Sequence, residues 1–170
     1  MKVKFDIVED NILNQAEWAD AIVNCATSSL ERGGGLCDAI FRTAGEGLEE
    51  ECKKFGKQEI TKCVITDGYN IPAKIIHAVT NRFDWNKRDN VELMEKTYQN
   101  IIELAEKNNI EKLAFPLLAS NIYLYPLRIA SKLAVSFLSN VESDVIKEIR
   151  LVLIDRVYYL ACKEVLEGKA

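Results

Sequence analysis

The chain has 170 residues, with 48% apolar and 28% charged side chains and a formal net charge of −4. That composition excludes an intrinsically disordered chain, and the acidic balance excludes a broad basic footprint for nucleic acid. No apolar run reaches membrane-spanning length, and the start, Met1-Lys2-Val3-Lys4-Phe5, lacks a signal-peptide core. The five scattered cysteines and single histidine form neither a zinc pattern nor a disulfide framework. We therefore expect one cytoplasmic domain over residues 1–170, with reduced thiols, no metal and no cofactor.

Residues 2–8 alternate polar and apolar, which predicts an edge or half-buried strand. A polar connector, residues 9–19, follows with room for a short helical turn. Residues 20–26 read as a buried strand. After the loop 27–35, Ile40, Ala44, Leu48 and Cys52 recur at four-residue spacing, the inner stripe of one helix. Strands are expected over 61–66 and 75–80, joined by a turn at Asp67-Gly68-Tyr69-Asn70 and Pro72. Val91, Met94, Tyr98, Ile101, Ile102 and Ala105 give the clearest amphipathic helix. A strand over 112–118, a helix carrying Leu127, Ala130, Leu133, Ala134, Phe137 and Leu138, a strand over 149–154 and a helical tail over 157–167 complete the chain.

Alternating strands and helices without a long linker predict a three-layer α/β/α domain whose sheet is mostly parallel. Ligands of such folds bind where strand C-termini meet helix N-termini. Two junctions of that kind carry unusual residues. At the first, Gly33, Gly34 and Gly35 stand between a buried strand and a helix, where glycine lets the backbone approach a ligand and the helix end favours a phosphate. The pattern is neither the dinucleotide fingerprint nor the triphosphate loop with its lysine. A plain flexible loop needing positive φ is the alternative. The second junction, residues 118–126, holds the small polar Ser120 and Asn121 ahead of Pro126, which suits a first helical turn. An ordinary connection with two packed tyrosines, Tyr123 and Tyr125, is the alternative there.

Together these stretches resemble the macrodomain family. Residues 20–45, reading DAIVNCATSSLERGGGLCDAIFRTAG, are similar to its DAIVNAAN block and the glycine loop that follows. Residues 65–77 (ITDGYNIPAKIIH) and 114–126 (AFPLLASNIYLYP) are similar to two further family stretches, in the right order. The resemblance implies a three-layer α/β/α sandwich with a mixed, mostly parallel sheet. It also implies a cleft for ADP-ribose or a related nucleotide, free, O-acetylated or attached to protein, with neither nucleic acid nor membrane as partner. Gly33, Gly34 and Gly35, with Leu36 and Cys37, would wrap one side of the diphosphate and distal ribose. The backbone of Ser120, Asn121, Ile122 and Tyr123 would hold the other. An acidic residue after the first strand would read the adenine amino group. If Ile12 keeps the family register that position is Asn11, with Asp10 beside it, and both stay open. Asp155 and Tyr158 would flank the adenine.

The departures fall on the chemistry. Thr27 and Cys37 stand where hydrolytic members carry Asn and Asp, and Phe41 where His is common. Cys37 is either a nucleophile favoured by a helix N-terminus or a small packed side chain lining the cleft. Asp38 is the remaining carboxylate, but a one-residue step turns a helical side chain by about 100°. It is either a catalytic group or a partner for the helix's positive end. Leu124 replaces a small residue and is expected to fill or tighten the distal-ribose end. His77 is expected to be a satisfied structural histidine, and Asn24 to help orient water. Two functional readings follow. One is an ADP-ribose-binding module with weak or altered turnover. The other is a hydrolase that removes ADP-ribose from modified protein, or deacetylates O-acetyl-ADP-ribose, through a bound water.

Overall fold

The computed structural model describes residues 1–120 and 123–168. Among the described residues there are six strands and five helices, in the order β1 Lys4–Glu9, β2 Ala21–Ala26, α1 Gly35–Ala44, α2 Glu46–Lys53, β3 Cys63–Thr66, β4 Lys74–Val79, α3 Asn90–Lys107, β5 Lys112–Phe115, α4 Leu127–Leu138, β6 Glu148–Leu153 and α5 Arg156–Leu166. A single 3-10 turn, Ile12–Gln15, follows β1 and is capped by the Asn11 side chain, which accepts from the Leu13 N–H. The strands form one sheet in the order β1-β6-β5-β2-β4-β3. All neighbours are parallel except β3, which runs antiparallel to β4. β1 is an edge strand, as its alternation predicts.

Strand pleating divides the core in two. Ala21 and Val23 of β2 face a cluster built with Met94, Tyr98 and Ile101 of α3, Leu133 and Ala134 of α4, and Cys162 of α5. Ile22 and Ala26 face the other side, where Ile40 and Phe41 of α1, Leu48 and Cys52 of α2, and Ile12 and Ala16 beside the 3-10 turn pack. The result is the expected three-layer α/β/α sandwich with a mixed, mostly parallel sheet. No helix among the described residues is long and apolar enough to cross a membrane.

Strand ends shift by one or two residues at β1, β3 and β4, and two boundaries differ more from the sequence reading. The stripe Ile40, Ala44, Leu48 and Cys52 is fully buried as expected, but it belongs to two helices. Gly45 breaks them at φ 97°, and the Ala44 carbonyl, freed from the helix ladder, accepts from the Asn70 N–H at 3.3 Å. β5 ends at Phe115 because Pro116 has no N–H to offer a neighbour, although Leu117 and Leu118 beyond it remain buried.

Candidate functional site

Adjacent parallel strands β2 and β5 send the chain to opposite faces of the sheet. After β2 it crosses to α1 on one side, and after β5 to α4 on the other. Such a switch point opens a crevice at the strand C-termini. A cleft of about 630 Å³ lies there, walled by the ends of β1, β2, β5 and β6 and by the start of α1.

Most of the residues singled out in the sequence meet in it. Thr27, Gly33, Gly34, Gly35, Leu36 and Cys37 form one wall, and Ser120 and Tyr123 belong to the opposite one. Asp10, Asn11, Ile12, Asp155 and Tyr158 close the remaining end. Asn121 and Ile122 lie outside the described residues. The sequence reading missed Cys25, Ala26, Ala39, Pro116, Leu117, Ala119, Val152, Leu153 and Ile154, which line the cleft as well. Their only signal is position: Ala39 lies in the second turn of α1, and the others lie at the C-terminal ends of strands or just beyond them.

The glycine wall is built for a backbone contact. Gly34 is the extended residue ahead of α1 and supplies no capping side chain, so the first N–H groups of the helix have no side-chain acceptor. Gly35 is the one member of the trio at positive φ, 58°. Gly33 lies over Cys37, whose Sγ would be 3.7 Å from an added Cβ. This wall therefore presents donors and the positive end of a helix. The opposite end is acidic. Hydrogen bonds from Asn14 and Gln15 hold the Asp10 carboxyl below its ordinary range, while Asp155 caps α5 by accepting from the Val157 N–H at 2.8 Å.

Three sequence candidates, Asn24, Asp38 and Leu124, stand apart from this geometry. Asn24 is fully buried beneath Cys37 and does not line the cleft. Its Nδ2 donates to His77 Nδ1 at 3.1 Å and lies 3.7 Å from Cys37 Sγ. Asp38 is outside the lining as well. Its two oxygens accept from Arg32 Nε at 2.6 Å and Arg42 Nη1 at 3.0 Å, and the Arg32 hydrogen bond keeps the carboxyl below its usual range. Leu124 does not fill the distal end as expected. It has φ 60°, is 55% exposed and is not among the residues lining the cleft. Cys37 lines the cleft, but its thiol donates to the Glu31 carbonyl at 3.9 Å, and the Asn24 amide stands between it and the imidazole.

His77 is the structural histidine expected. It is wholly buried in β4, with Nε2 3.0 Å from Thr66 Oγ1, whose hydroxyl in turn donates to the Asp67 carbonyl. Because Nδ1 accepts from Asn24, Nε2 carries the proton. Burial pushes the imidazole pKa down to about 4, so the ring is neutral. Burial also pushes the thiol of cleft-lining Cys25 up, and its Sγ pairs with Thr80 Oγ1 at 3.3 Å.

A three-layer α/β/α fold with an uncapped helix N-terminus beside the cleft at its topological switch point defines the architectural class. Within that class the sequence pattern of the Macro domain matches residues 23–134, and the chain belongs to the macro domain family. It is 35% identical to a macro domain-containing protein of Caldanaerobacter subterraneus, over 96% of each chain. It is 32% identical to an O-acetyl-ADP-ribose deacetylase of Salmonella newport, over 96% of this chain and 90% of that one. The macrodomain of Oceanobacillus iheyensis, solved with ADP, superposes with a TM-score of 0.88 at 28% identity, covering 99% of this chain and 95% of that one. A variant of the same macrodomain, solved with ADPR, gives the same TM-score.

Proposed function

We propose that the cleft binds ADP-ribose or an ADP-ribose derivative, free or attached to protein, with weak or altered turnover. The observation that carries this reading is the open N-terminus of α1 behind Gly33, Gly34 and Gly35, at one wall of a cleft whose far end holds Asp10 and Asp155. Helix N–H groups suit a diphosphate, and carboxylates suit the donors of a base. On this reading the glycine wall holds the diphosphate and the distal ribose, Ser120 and Tyr123 face it across the cleft, and Ile154 and Tyr158 cover the base. Relatives solved with ADP and ADPR support the ligand class. The same reading takes residues 1–170 as one macro domain, because β1 and β6, outside the matched segment, pair with each other and β6 with β5. Five free cysteines fit a reducing cytoplasm.

A second reading, hydrolysis of O-acetyl-ADP-ribose or of ADP-ribosylated protein through a bound water, is favoured by the similarity to a named deacetylase. It ranks second because Asp38 is held by two arginines outside the cleft and Cys37 has no base beside it.

Calorimetric titration with ADP-ribose, ADP and AMP tests the first reading. ADP-ribose is expected to bind with a Kd on the order of micromolar, about −8 kcal/mol, and AMP far more weakly. No heat with millimolar ADP-ribose overturns it. Acetate release from O-acetyl-ADP-ribose at many turnovers per minute would move the second reading ahead.

A further inference from the structure

A second cavity, of about 510 Å³, is shaped by the chain between β4 and α3 and by the start of α3. Asn81, Arg82, Phe83, Trp85 and Lys87 belong to its lining. It adjoins the cleft, because the Phe83 N–H donates to the Tyr123 carbonyl at 2.9 Å and Tyr123 lines the cleft. Burial pushes the Tyr123 hydroxyl up and the Arg82 charge acts the other way, so this cation stands close to the same wall.

Buried Asn90, the first residue of α3, frames the loop. Its Oδ1 accepts from the Asp84 N–H at 2.9 Å, and its Nδ2 donates to the carbonyls of Asp84 at 2.8 Å and Lys87 at 3.0 Å. The Asn90 carbonyl accepts from the Tyr125 hydroxyl at 2.6 Å and from Asn81 Nδ2 at 3.2 Å. A carbonyl only accepts, so the Asn81 NH₂ must face it, and the buried Asn81 Oδ1 is left with no partner. On this frame Trp85 meets Phe83 edge to face, with ring centroids 4.8 Å apart, yet stays 78% exposed. A loop already held by its own hydrogen bonds gains nothing from an indole in water, whereas a binding surface does. Arg82, Lys87 and Arg88 are exposed, and none of them is in an ion pair among the described residues. Asp84 is half-buried, with Oδ1 accepting from the Asn86 N–H at 2.9 Å, so Asp89 is the one exposed carboxylate of the loop. The loop is therefore a basic spot on a chain of net charge −4.

We propose that this cavity docks the peptide that carries the ADP-ribose group of a modified protein, with Trp85 as its platform and Arg82 and Lys87 selecting a segment with acidic residues beside the modified one. This rests on the reading of the cleft above, in which the glycine wall and Tyr123 hold the distal ribose. A group attached to that ribose leaves the cleft away from Asp10 and Asp155, on the side where Tyr123 meets Phe83. An extended peptide brings what the cavity lacks: an N–H for the bare Asn81 oxygen, apolar surface for the indole and carboxylates for the cations.

The test titrates three probes by calorimetry into the wild-type chain, Trp85→Ala and Lys87→Glu. The probes are free ADP-ribose, a short peptide carrying ADP-ribose through a non-hydrolysable linkage between glutamates, and the same peptide with lysines in place of the glutamates. The wild type is expected to bind the acidic peptide about tenfold or more tighter than free ADP-ribose, and the lysine peptide no tighter. Trp85→Ala should remove most of that gain and Lys87→Glu about threefold of it, the scale of an exposed ion pair. Both variants should bind free ADP-ribose within about twofold of wild type, which a merely structural role would not predict. An acidic peptide that binds no tighter than free ADP-ribose overturns the docking site, and so does a gain that survives intact in both variants. An equal gain for the lysine peptide overturns the acidic selection. A single-stranded oligonucleotide whose binding is lost in Trp85→Ala would assign the surface to nucleic acid and overturn the peptide. Each of these results leaves the cleft reading standing, whereas a wild type that binds neither free ADP-ribose nor either peptide overturns both. Should Trp85→Ala not fold, Lys87→Glu decides alone, since its side chain is exposed and makes no hydrogen bond among the described residues.

Discussion

Neutral His77 ties the stability of this chain to pH. Its pKa is about 4 in the fold against an ordinary 6.5, because burial disfavours the charged ring. A group depressed in the folded state binds protons more readily when unfolded, so acid favours unfolding. The stabilisation is complete above pH 6.5, falls as pH drops through the interval down to about 4, and is gone below it. The size is roughly 3 kcal/mol, from about 1.4 kcal/mol per unit. Urea midpoints measured from pH 7.5 to 4 should decline across that window. In His77→Gln, whose amide can still bond Asn24 and Thr66, the decline should be clearly shallower. Equal slopes in the two proteins would show that other groups carry the acid sensitivity. The histidine was legible as structural because it stands inside an apolar run, Ile75, Ile76, Ala78 and Val79, in a chain with no second histidine to form a metal pair. Its partners were not, since Asn24 and Thr66 reach it only through strand pairing: Asn24 lies beside it in the β2–β4 register, and Thr66 comes from β3. The hydrogen bond from Arg150 Nη1 to Gln15 Oε1 is more distant still, joining residues 135 positions apart.

Helices and strands were easier to foresee than their ends, because periodicity reports which face is buried and says little about φ. The apolar stripe through α1 and α2 is continuous in the sequence and in the core, yet the chain stops at Gly45 between them. A glycine inside a helical stripe is weak punctuation by itself. Here its φ of 97° and the 3.3 Å approach of Asn70 Nδ2 to any added Cβ leave little room for a side chain. Gly45→Ala should therefore cost about 1–2 kcal/mol, the scale of one residue forced to positive φ, read as a lower denaturation midpoint with an unchanged m-value. An unchanged midpoint would mean that the two helices can merge into one without loss. The glycine loop was legible for the opposite reason: three glycines before a helix point to backbone exposure whatever the exact φ. Leu124 escaped the reading because a substitution for a small residue says nothing about direction, and this leucine is 55% exposed.

At the scale of the molecule, the cleft is where the two halves of the core meet. The clusters on the two faces of the sheet are separated by the strands themselves. At the strand C-termini both contribute to one lining: Ile12, Cys37 and Val152 from one face, Leu117, Ala119 and Leu153 from the other. A ligand spanning this crevice touches the loops after β1, β2, β5 and β6 at once, so it links segments that the sheet alone joins. Ligand at about 100 times its Kd adds about 2.7 kcal/mol to the folded state. For a chain of this length that is a rise in Tm of roughly 5–10 °C. Hydrogen exchange should localise the effect. With saturating ADP-ribose, amides of residues 10–12, 33–37 and 117–120 should all slow, because all three segments line the cleft. Protection confined to residues 33–37 would show an anion resting on the α1 N-terminus alone, and the cradle between two walls would then have to be abandoned.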